Sequence, residues 1–324
     1  MKDTSRPTIV VVGSANTDMI VRMPRLPERG ETVLGGEFVS AGGGKGANQA
    51  VAASRLGAEV CFIARLGNDP LGDAAITAFR AEGLRTEWIS RDAHAPSGIA
   101  LILVESQGAD QGENMIAVAP GANARLAVGD VEGASSAIAT SDCLVAQLEV
   151  PLDTVLAALR LARALGVKTI LNPAPVPAAG LPAEIYPLVD VLNPNRTEAG
   201  LLSGTAVADD ESAERAARVL LERGVGAVVV TLGSQGALVV TADATRRIKP
   251  FRVVAMDATG AGDAFTGGLA VALAGGASVA DAADFAGAVG ALAATKLGAQ
   301  PSLPTSAEVR ALIVAQRGTK SRLS

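Results

Sequence analysis

The sequence has 324 residues, of which 49% are hydrophobic and 19% charged, so the chain can bury a large core and disorder is improbable. Its formal net charge of −5 and its lack of Lys/Arg runs argue against a nucleic-acid partner and a polybasic membrane contact. No apolar stretch reaches about 18 residues, so we expect a cytoplasmic protein in which Cys61 and Cys143 are buried free thiols.

Short apolar, strand-like runs alternate with helical patterns along the chain. We predict strands over residues 9–12, 60–64, 143–147, 169–171, 189–192, 227–232, 237–241 and 248–254. The predicted helices cover residues 46–56, 72–81, 152–165, 212–223, 263–274, 279–297 and 307–314. This alternation is typical of βαβ units, so the fold class is α/β, with a mostly parallel central sheet and helices on both faces.

Two groups of short strands interrupt this alternation. Residues 31–40 could supply two exposed strands, and residues 99–104 and 114–118 form a pair joined by a polar turn. Because they break the alternation at two separated points of the chain, we expect them to meet as a small second β-sheet. We predict one α/β domain over residues 1–324, with a β lid built from about residues 15–41 and 98–119.

The segment D-A-T-G-A-G-D at residues 257–263 follows a predicted strand and opens a predicted helix. Gly260 and Gly262 let a phosphate approach the backbone, where N–H groups of the helix N-terminus point outward. A carboxylate at such a site repels its ligand unless it has a chemical task, so Asp263 is a candidate proton acceptor. Asp263 could equally cap the helix. Neither a dinucleotide fingerprint nor a P-loop is present, which argues against an oxidoreductase.

Polar side chains at the ends of predicted strands suit a sugar. Asn16 and Asp18 follow the first strand, Asn48 lies in the first turn of the next helix, and Glu149 follows a later strand. Ligands bind at this edge of α/β sheets, and these side chains can donate to and accept from hydroxyl groups. Asn16 and Asp18 would also suit a simple turn, and the glycines at 42–44 a hinge.

Asn195 and Glu198 follow the predicted strand at 189–192. Their oxygen atoms suit a hydrated Mg²⁺ ion at nucleotide phosphates. The same pair also fits a helix N-terminus, with Asn195 as the cap and Glu198 as its reciprocal partner, and the two interpretations are compatible.

Together these segments resemble the ribokinase-like family of sugar kinases over nearly the whole chain. The segments that carry the resemblance are GSANTD (13–18), GGKGANQA (43–50), GEN (112–114), PGANA (120–124), QLE (147–149), NPAP (172–175), NRTE (195–198), TLGSQG (231–236), DATGAGD (257–263) and GAQPS (298–302). The resemblance implies ATP-dependent phosphorylation of D-ribose at the 5-hydroxyl to give ribose 5-phosphate. The alternatives are deoxyribose, fructose, a sugar acid or a nucleoside, although a nucleoside requires an aromatic platform and the lid offers only Phe38.

The resemblance also implies roles for individual residues. Those expected around the ribose are Asn16, Asp18, Gly44, Lys45, Asn48 and Glu149, with Asp263 as general base and Gly260, Ala261 and Gly262 as an anion hole. Those expected at ATP are Asn195, Thr231, Gly233, Gly236, Gly262 and Gly287, with Glu198 at Mg²⁺. Those expected around an activating K⁺ ion are Asp257, Thr259, Ala293, Lys296, Gly298 and Ser302.

The family resemblance further implies a homodimer in which the β lids clasp each other. Two positions depart from the family pattern. Ala258 stands where a small polar residue is usual, which bears on the cation loop, and Gly287 stands where a larger side chain often contacts adenine.

Overall fold

The computed structural model describes residues 6–105 and 114–318. Its strands are β1 (Thr8–Val12), β2 (Asn16–Met23), β3 (Glu37–Gly43), β4 (Glu59–Gly67), β5 (Ile89–Asp92), β6 (Gly98–Glu105), β7 (Asn114–Ala119), β8 (Cys143–Ala146), β9 (Lys168–Leu171), β10 (Val191–Leu192), β11 (Ala227–Thr231), β12 (Ala237–Thr241) and β13 (Thr245–Ile248). Its helices are α1 (Lys45–Arg55), α2 (Pro70–Ala81), α3 (Val128–Gly133), α4 (Ser135–Ala139), α5 (Leu152–Ala164), α6 (Arg196–Ser203), α7 (Asp210–Glu222), α8 (Ala261–Ala274), α9 (Val279–Ala293) and α10 (Ser306–Arg317).

Across the described ranges, a central sheet of nine strands runs in the order β13-β12-β11-β10-β9-β8-β1-β4-β5. Every pairing from β11 to β5 is parallel, and β12 and β13 extend the sheet as antiparallel strands. A sheet covered on both faces requires continuous apolar strands, and β1 provides one with four buried residues in succession. The predicted mostly parallel central sheet is confirmed.

Helices cover both faces of this sheet. Successive residues of a strand point to opposite faces, so Ile9 and Val11 enter one hydrophobic core, while Val10 and Val12 enter the other. The first core contains buried residues of α1, α8 and α9, and the second contains those of α5, α6 and α7. The start of α1, which carries part of the predicted sugar-binding set, and the start of α8, which carries the predicted base, therefore pack on the same face.

A second, four-stranded sheet has the order β3-β2-β6-β7 within the described residues. β2 pairs antiparallel with β3 and parallel with β6, and β6 pairs antiparallel with β7. The predicted small second sheet is confirmed. Its strands β6 and β7 match the pair predicted at 99–104 and 114–118, and β3 overlaps the predicted stretch at 31–40, whereas β2 is a strand that the sequence did not predict. β2 lies in a stretch for which the sequence predicts no regular strand. Its extended conformation is held by pairing with β3 and β6 on its two sides and not indicated by its own hydrophobic pattern.

Several predicted ends are wrong. The predicted strand at 248–254 overlaps β13 only at Ile248, where β13 ends. Pro250, two residues later, has no backbone N–H that could continue the pairing. The predicted helix at 279–297 ends at Ala293, because the following residues turn to meet the loop around Asp257. Strand β5 was not predicted at all. The predicted polar turn at 106–113 and part of the GEN segment lie outside the described residues.

Neither cysteine forms a disulfide, and both are buried, as predicted. In the parts of the chain that the structure describes, no helix has the length and apolarity needed to cross a bilayer.

Candidate active site

Asp263 lies in the first turn of α8, two residues after its first residue, Ala261, and only 7% of it is exposed. The helix cap is Gly260, at φ 76°, and no side chain among the described residues caps this helix. The Asp263 carboxylate instead accepts two side-chain hydrogen bonds from α1, from Asn48 Nδ2 to Oδ2 and from Gln49 Nε2 to Oδ1, both at 2.9 Å. The capping alternative therefore does not describe Asp263.

Burial raises the pKa of the Asp263 carboxyl above its ordinary value, and the charge of Glu149 adds to this effect. The Lys45 ammonium and the amides of Asn48 and Gln49 act in the opposite direction but do not cancel it. A carboxylate with a raised pKa is a better proton acceptor than an ordinary aspartate, which suits a general base.

Glu149 and Lys45 interact electrostatically with the Asp263 carboxylate. Ser14 Oγ donates to Glu149 Oε2 at 2.5 Å, and the backbone N–H of Lys45 donates to the same oxygen at 3.0 Å. Burial lowers the pKa of the Lys45 ammonium, but the charges of Asp263 and Glu149 outweigh it, so its pKa lies above the ordinary value. The start of α1 therefore lies between the segment that follows β8 and the first turn of α8.

Asp18 enters the same site from β2. Burial, followed by the charges of Glu149 and Asp263, raises the pKa of its carboxyl to about 6. Three carboxylates thus influence one another across a small polar volume, a pattern more typical of functional sites than of structural cores.

Asn16 and Gly44 complete the predicted sugar-binding set. Asn16 Oδ1 accepts a hydrogen bond of 2.8 Å from Asn123 Nδ2, which orients its amide. Gly44 has φ 86°, and a Cβ there would lie 2.8 Å from the Asn16 nitrogen, so this close approach requires glycine. The structure brings all seven residues predicted around the sugar to one place.

A cavity of about 210 Å³ connects the base to residues predicted for the nucleotide. Its lining residues are Lys45, Asn172, Ala174, Asn193, Asn195, Glu198, Thr231, Ala258, Gly260, Gly262 and Asp263. A larger cavity of about 560 Å³ lies at the opposite, amino-terminal edge of the sheet, around Lys168 and Asp190, and contains none of the predicted site residues.

Asn195 and Glu198 form the reciprocal cap at the start of α6. Asn195 Oδ1 accepts from the Glu198 N–H, and Glu198 Oε2 accepts from the Asn195 N–H, both at 2.8 Å. Burial raises the pKa of Glu198. Each side chain keeps oxygen lone pairs beyond its capping bond, and both line the cavity, so the cap leaves room for the predicted role at Mg²⁺.

The other predicted nucleotide residues divide into two groups. Thr231 pairs with Asn195 as neighbouring backbone, and the positive φ angles of Gly233 and Gly236 form the tight turn that follows β11. Gly287 lies on α9, where a Cβ would contact the Phe251 ring at 3.7 Å. It does not line the 210 Å³ cavity.

The predicted cation residues lie in two adjoining loops. Asp257 accepts from the Thr259 N–H at 2.9 Å and from the Gly298 N–H at 2.8 Å. Although burial raises the pKa of Asp257, these hydrogen bonds outweigh it and the pKa lies below its ordinary value. The loops therefore place an ionised carboxylate between two loop backbones, and the lone pairs of its oxygens that accept no hydrogen bond from these N–H groups could serve a hard cation.

The remaining members of that set contribute differently. Lys296 Nζ bonds Glu308 at 2.8 Å, so its side chain is committed elsewhere and only its carbonyl could serve a cation. Ser302 Oγ donates to the Ala299 carbonyl at 2.7 Å, and Ala293 is the last residue of α9. The described residues contain no cluster of three or more His, Cys, Asp or Glu side chains that could hold a metal ion.

Four buried amide side chains for which the sequence predicts no role lie in the hydrogen-bond network that reaches the base. They are Gln49, Gln147, Asn172 and Asn193. The last three each directly follow an apolar strand, at the same edge of the sheet as Glu149. The rule applied to Glu149, that a polar residue after a buried strand faces the ligand edge, would have identified them.

The chain is similar in sequence to known carbohydrate kinases. Residues 6–306 match the model of the pfkB family of carbohydrate kinases. The chain is 44% identical to a ribokinase from Haemophilus influenzae, over 94% of this chain and 97% of that protein. It is 36% identical to a deoxyribokinase from Salmonella typhi, over 80% of this chain and 83% of that protein.

Among solved structures, the fold is similar to that of Arabidopsis thaliana ribokinase complexed with ribose and ATP. The TM-score is 0.85 at 30% identity, and the match covers 95% of this chain and 99% of the other. The central sheet and the small second sheet together are thus the ribokinase-like arrangement.

Proposed function

The chain belongs to the pfkB family of carbohydrate kinases, and on that premise we propose that it transfers the γ-phosphoryl group of ATP to the 5-hydroxyl of D-ribose. The observation that carries the proposal is the position of Asp263. Its buried carboxylate lies between the predicted sugar residues on one side and the cavity shared with the predicted nucleotide residues on the other. The ribokinase relatives support ribose as the sugar.

Asp263 would accept the proton of the 5-hydroxyl as the oxygen bonds to the γ-phosphorus. The bond from that phosphorus to the β–γ bridging oxygen breaks, giving ribose 5-phosphate and ADP. Because phosphoryl transfer has a loose transition state, most of the acceleration comes from positioning and charge stabilisation, while the base contributes about 10²–10⁴-fold.

The start of α8 supplies the groups that stabilise the transferring phosphoryl. Helix N-termini bind anions favourably, and no side chain among the described residues caps the first turn of α8. The N–H of Ala261 already donates to the Ala258 carbonyl at 3.1 Å. Within the predicted anion hole, Gly260 and Gly262 are therefore better placed than Ala261 to donate to phosphate oxygens.

Two cations complete the proposal. Asn195 and Glu198 would hold a hydrated Mg²⁺ ion, which neutralises charge on the nucleotide phosphates when bound. The loops around Asp257 and Gly298 would hold K⁺ through the Asp257 carboxylate and backbone carbonyls. K⁺ there would stabilise the loop that leads directly into Gly260.

Deoxyribose is the second candidate substrate, because one relative of 36% identity is a deoxyribokinase. The two sugars differ by the 2-hydroxyl. A site built to hydrogen-bond a hydroxyl rejects the analogue that lacks it by orders of magnitude, since its buried polar groups are left unpaired. The cluster of Asn16, Asp18 and Glu149 favours the more hydroxylated sugar.

We further propose that the chain is a single-domain enzyme whose four-stranded sheet is a lid, and that two lids pair in a homodimer. Large apolar side chains are exposed on both faces of that sheet, Phe38, Leu101 and Met115 on one face and Ile116 and Val118 on the other. Contiguous exposed apolar patches mark interaction surfaces. We expect the enzyme in the cytoplasm, which supplies ATP and keeps thiols such as Cys61 reduced.

A coupled ADP-release assay over pentoses, hexoses, deoxyribose and nucleosides, with Asp263→Asn as the matched blank, tests the function. We expect the largest kcat/KM with D-ribose. In Asp263→Asn we expect a fall in kcat of about 10²–10⁴-fold with ribose and ATP binding retained, because the amide cannot accept the proton. A larger kcat/KM for another sugar would refute ribose as the substrate, and a near wild-type Asp263→Asn would refute the base.

A further inference from the structure

A chain of buried amides lies behind the proposed base. Gln49, which is only 1% exposed, donates from Nε2 to Asp263 Oδ1 at 2.9 Å and to Asn172 Oδ1 at 3.1 Å. Its own Oε1 accepts from Gln147 Nε2 at 2.6 Å. All the hydrogen-bonding groups of the Gln49 side chain are therefore engaged, and its amide can neither rotate nor leave without breaking several buried bonds.

The orientation of this chain follows from its two ends. A carboxylate only accepts hydrogen bonds, so the Gln49 atom that faces Asp263 must be the NH₂ group, and its oxygen must face Gln147. At the other end, Asn172 Nδ2 donates to the Asn193 backbone carbonyl at 2.9 Å. A backbone carbonyl also only accepts, which turns the Asn172 oxygen towards Gln49. Both ends thus require the same orientation of the Gln49 amide.

Asn48 and Gln49 reach the carboxylate from different sides. Neighbouring residues of an α-helix project about 100° apart, so consecutive residues of α1 can contact the two oxygens of one carboxylate only if it lies between them. Asn48 Oδ1 is buried and has no hydrogen-bond partner among the described residues. A free acceptor next to Asp263 Oδ2 is the arrangement that a hydroxylated ligand would complete.

We propose that Gln49 is a positioning residue for phosphoryl transfer. It fixes Oδ1 of Asp263 from the buried side, so that Oδ2 is the oxygen presented to the sugar hydroxyl. This inference rests on the proposed function of Asp263 as the base. Gln147 acts one step further back, because its bond to Gln49 Oε1 keeps the Gln49 amide from reversing.

Hydrogen bonds from Gln49 also favour the ionised form of the base. They oppose the effect of burial, which raises the pKa of Asp263. Loss of this donor would raise that pKa further, so that the base stays protonated, and inactive, up to a higher pH.

Gln49→Met keeps the side-chain length and removes the donor. We expect kcat to fall by about 10–100-fold, the range for losing a hydrogen bond to a charged group, while KM for the sugar changes by less than about threefold. The acid limb of the kcat–pH profile should move to higher pH by about one unit, because one pKa unit corresponds to a tenfold change in the acid dissociation constant of the carboxyl. Gln147→Met should move both quantities in the same direction by a smaller amount.

Ser141→Ala is the matched control. It removes a buried hydrogen bond, from Ser141 Oγ to the Ile138 carbonyl, at the opposite end of the β8 region from Gln147. It should leave kcat and the acid limb unchanged even if it lowers the unfolding temperature. If Gln49→Met folds poorly, the changes in kcat and in the acid limb of Gln147→Met test the proposal instead.

A second readout does not depend on turnover. The carboxyl ¹³C resonance of Asp263, identified by its loss in Asp263→Asn, should titrate at a higher pH in Gln49→Met than in the wild type. An unmoved resonance and an unmoved acid limb in a folded variant would overturn the proposal. Failure of the proposed function looks different, because the wild type would then fail to phosphorylate ribose, or Asp263→Asn would remain active.

Discussion

Asp18 on β2 and Gly43 on β3 lie so close that a Cβ added to residue 43 would overlap the Asp18 carboxylate. The backbone of Gly43 itself has no positive φ, so alanine could adopt it, and only the space is missing. Residue 43 must be glycine because of its neighbour and not because of its backbone. The Asp18 carboxylate is thereby held against the strand that leads into α1.

Gly43→Ala should displace the Asp18 carboxylate without unfolding the protein. We expect KM for the sugar to rise by about tenfold or more, in line with the loss of a charge-assisted hydrogen bond, while kcat at saturating sugar falls less. Steady-state kinetics measure both. The control is Gly129→Ala, since a Cβ there meets nothing within 4 Å. An unchanged KM in Gly43→Ala would show that the Asp18 position does not matter for sugar binding.

Asp18 should also make stability depend on pH. Its pKa is about 6 when folded and close to the ordinary 3.8 when unfolded, so the folded state binds more protons between these values. The free energy of unfolding should therefore fall as the pH rises from about 4 to about 6, by up to about 3 kcal/mol from this group. Asp18→Asn should be more stable than the wild type at pH 8, with a gap that shrinks towards pH 4. Urea unfolding at the two pH values checks the sign.

The proposed K⁺ site predicts a specific loss in Asp257→Asn. Because the neutral amide removes the negative side-chain charge proposed to hold the cation, the K⁺ concentration for half-maximal activation should rise by about tenfold or more. Titration of kcat with KCl at constant ionic strength measures it. Asp243→Asn changes an exposed carboxylate between β12 and β13 and serves as the control. Equal K⁺ curves for Asp257→Asn and the wild type would place the cation elsewhere or exclude its role.

The proposed dimer predicts that a charge on the exposed lid strand β7 separates the subunits. Ile116, which is 57% exposed on β7, would be desolvated in a lid-to-lid contact, so Ile116→Asp should weaken the dimer by about 100-fold or more. Sedimentation velocity over a range of concentrations measures the change. Leu201→Asp, on the exposed face of α6, should leave the assembly unchanged. If Ile116→Asp sediments as the wild type does, the subunits do not meet through β7.

Much of the fold can be predicted because the hydrophobic pattern of many segments matches their burial in the folded protein. β1 and β8 are buried on both faces, so each reads as an uninterrupted apolar run. β2 and β5 were missed for the opposite reason. They are short or partly exposed and are held by pairing with neighbours that the local sequence does not reveal.

The sequence by itself determined the chemistry available at residues 257–263, namely a glycine-rich helix start with a carboxylate beside it. It could not decide whether Asp263 caps that helix or serves as a base, because both uses have the same local pattern. The tertiary structure decided this by bringing Asn48, 215 residues away, and Gln49 onto the two carboxylate oxygens. Burial raises the pKa of Asp263 and long-range hydrogen bonds orient its carboxylate, and no local pattern contains either effect.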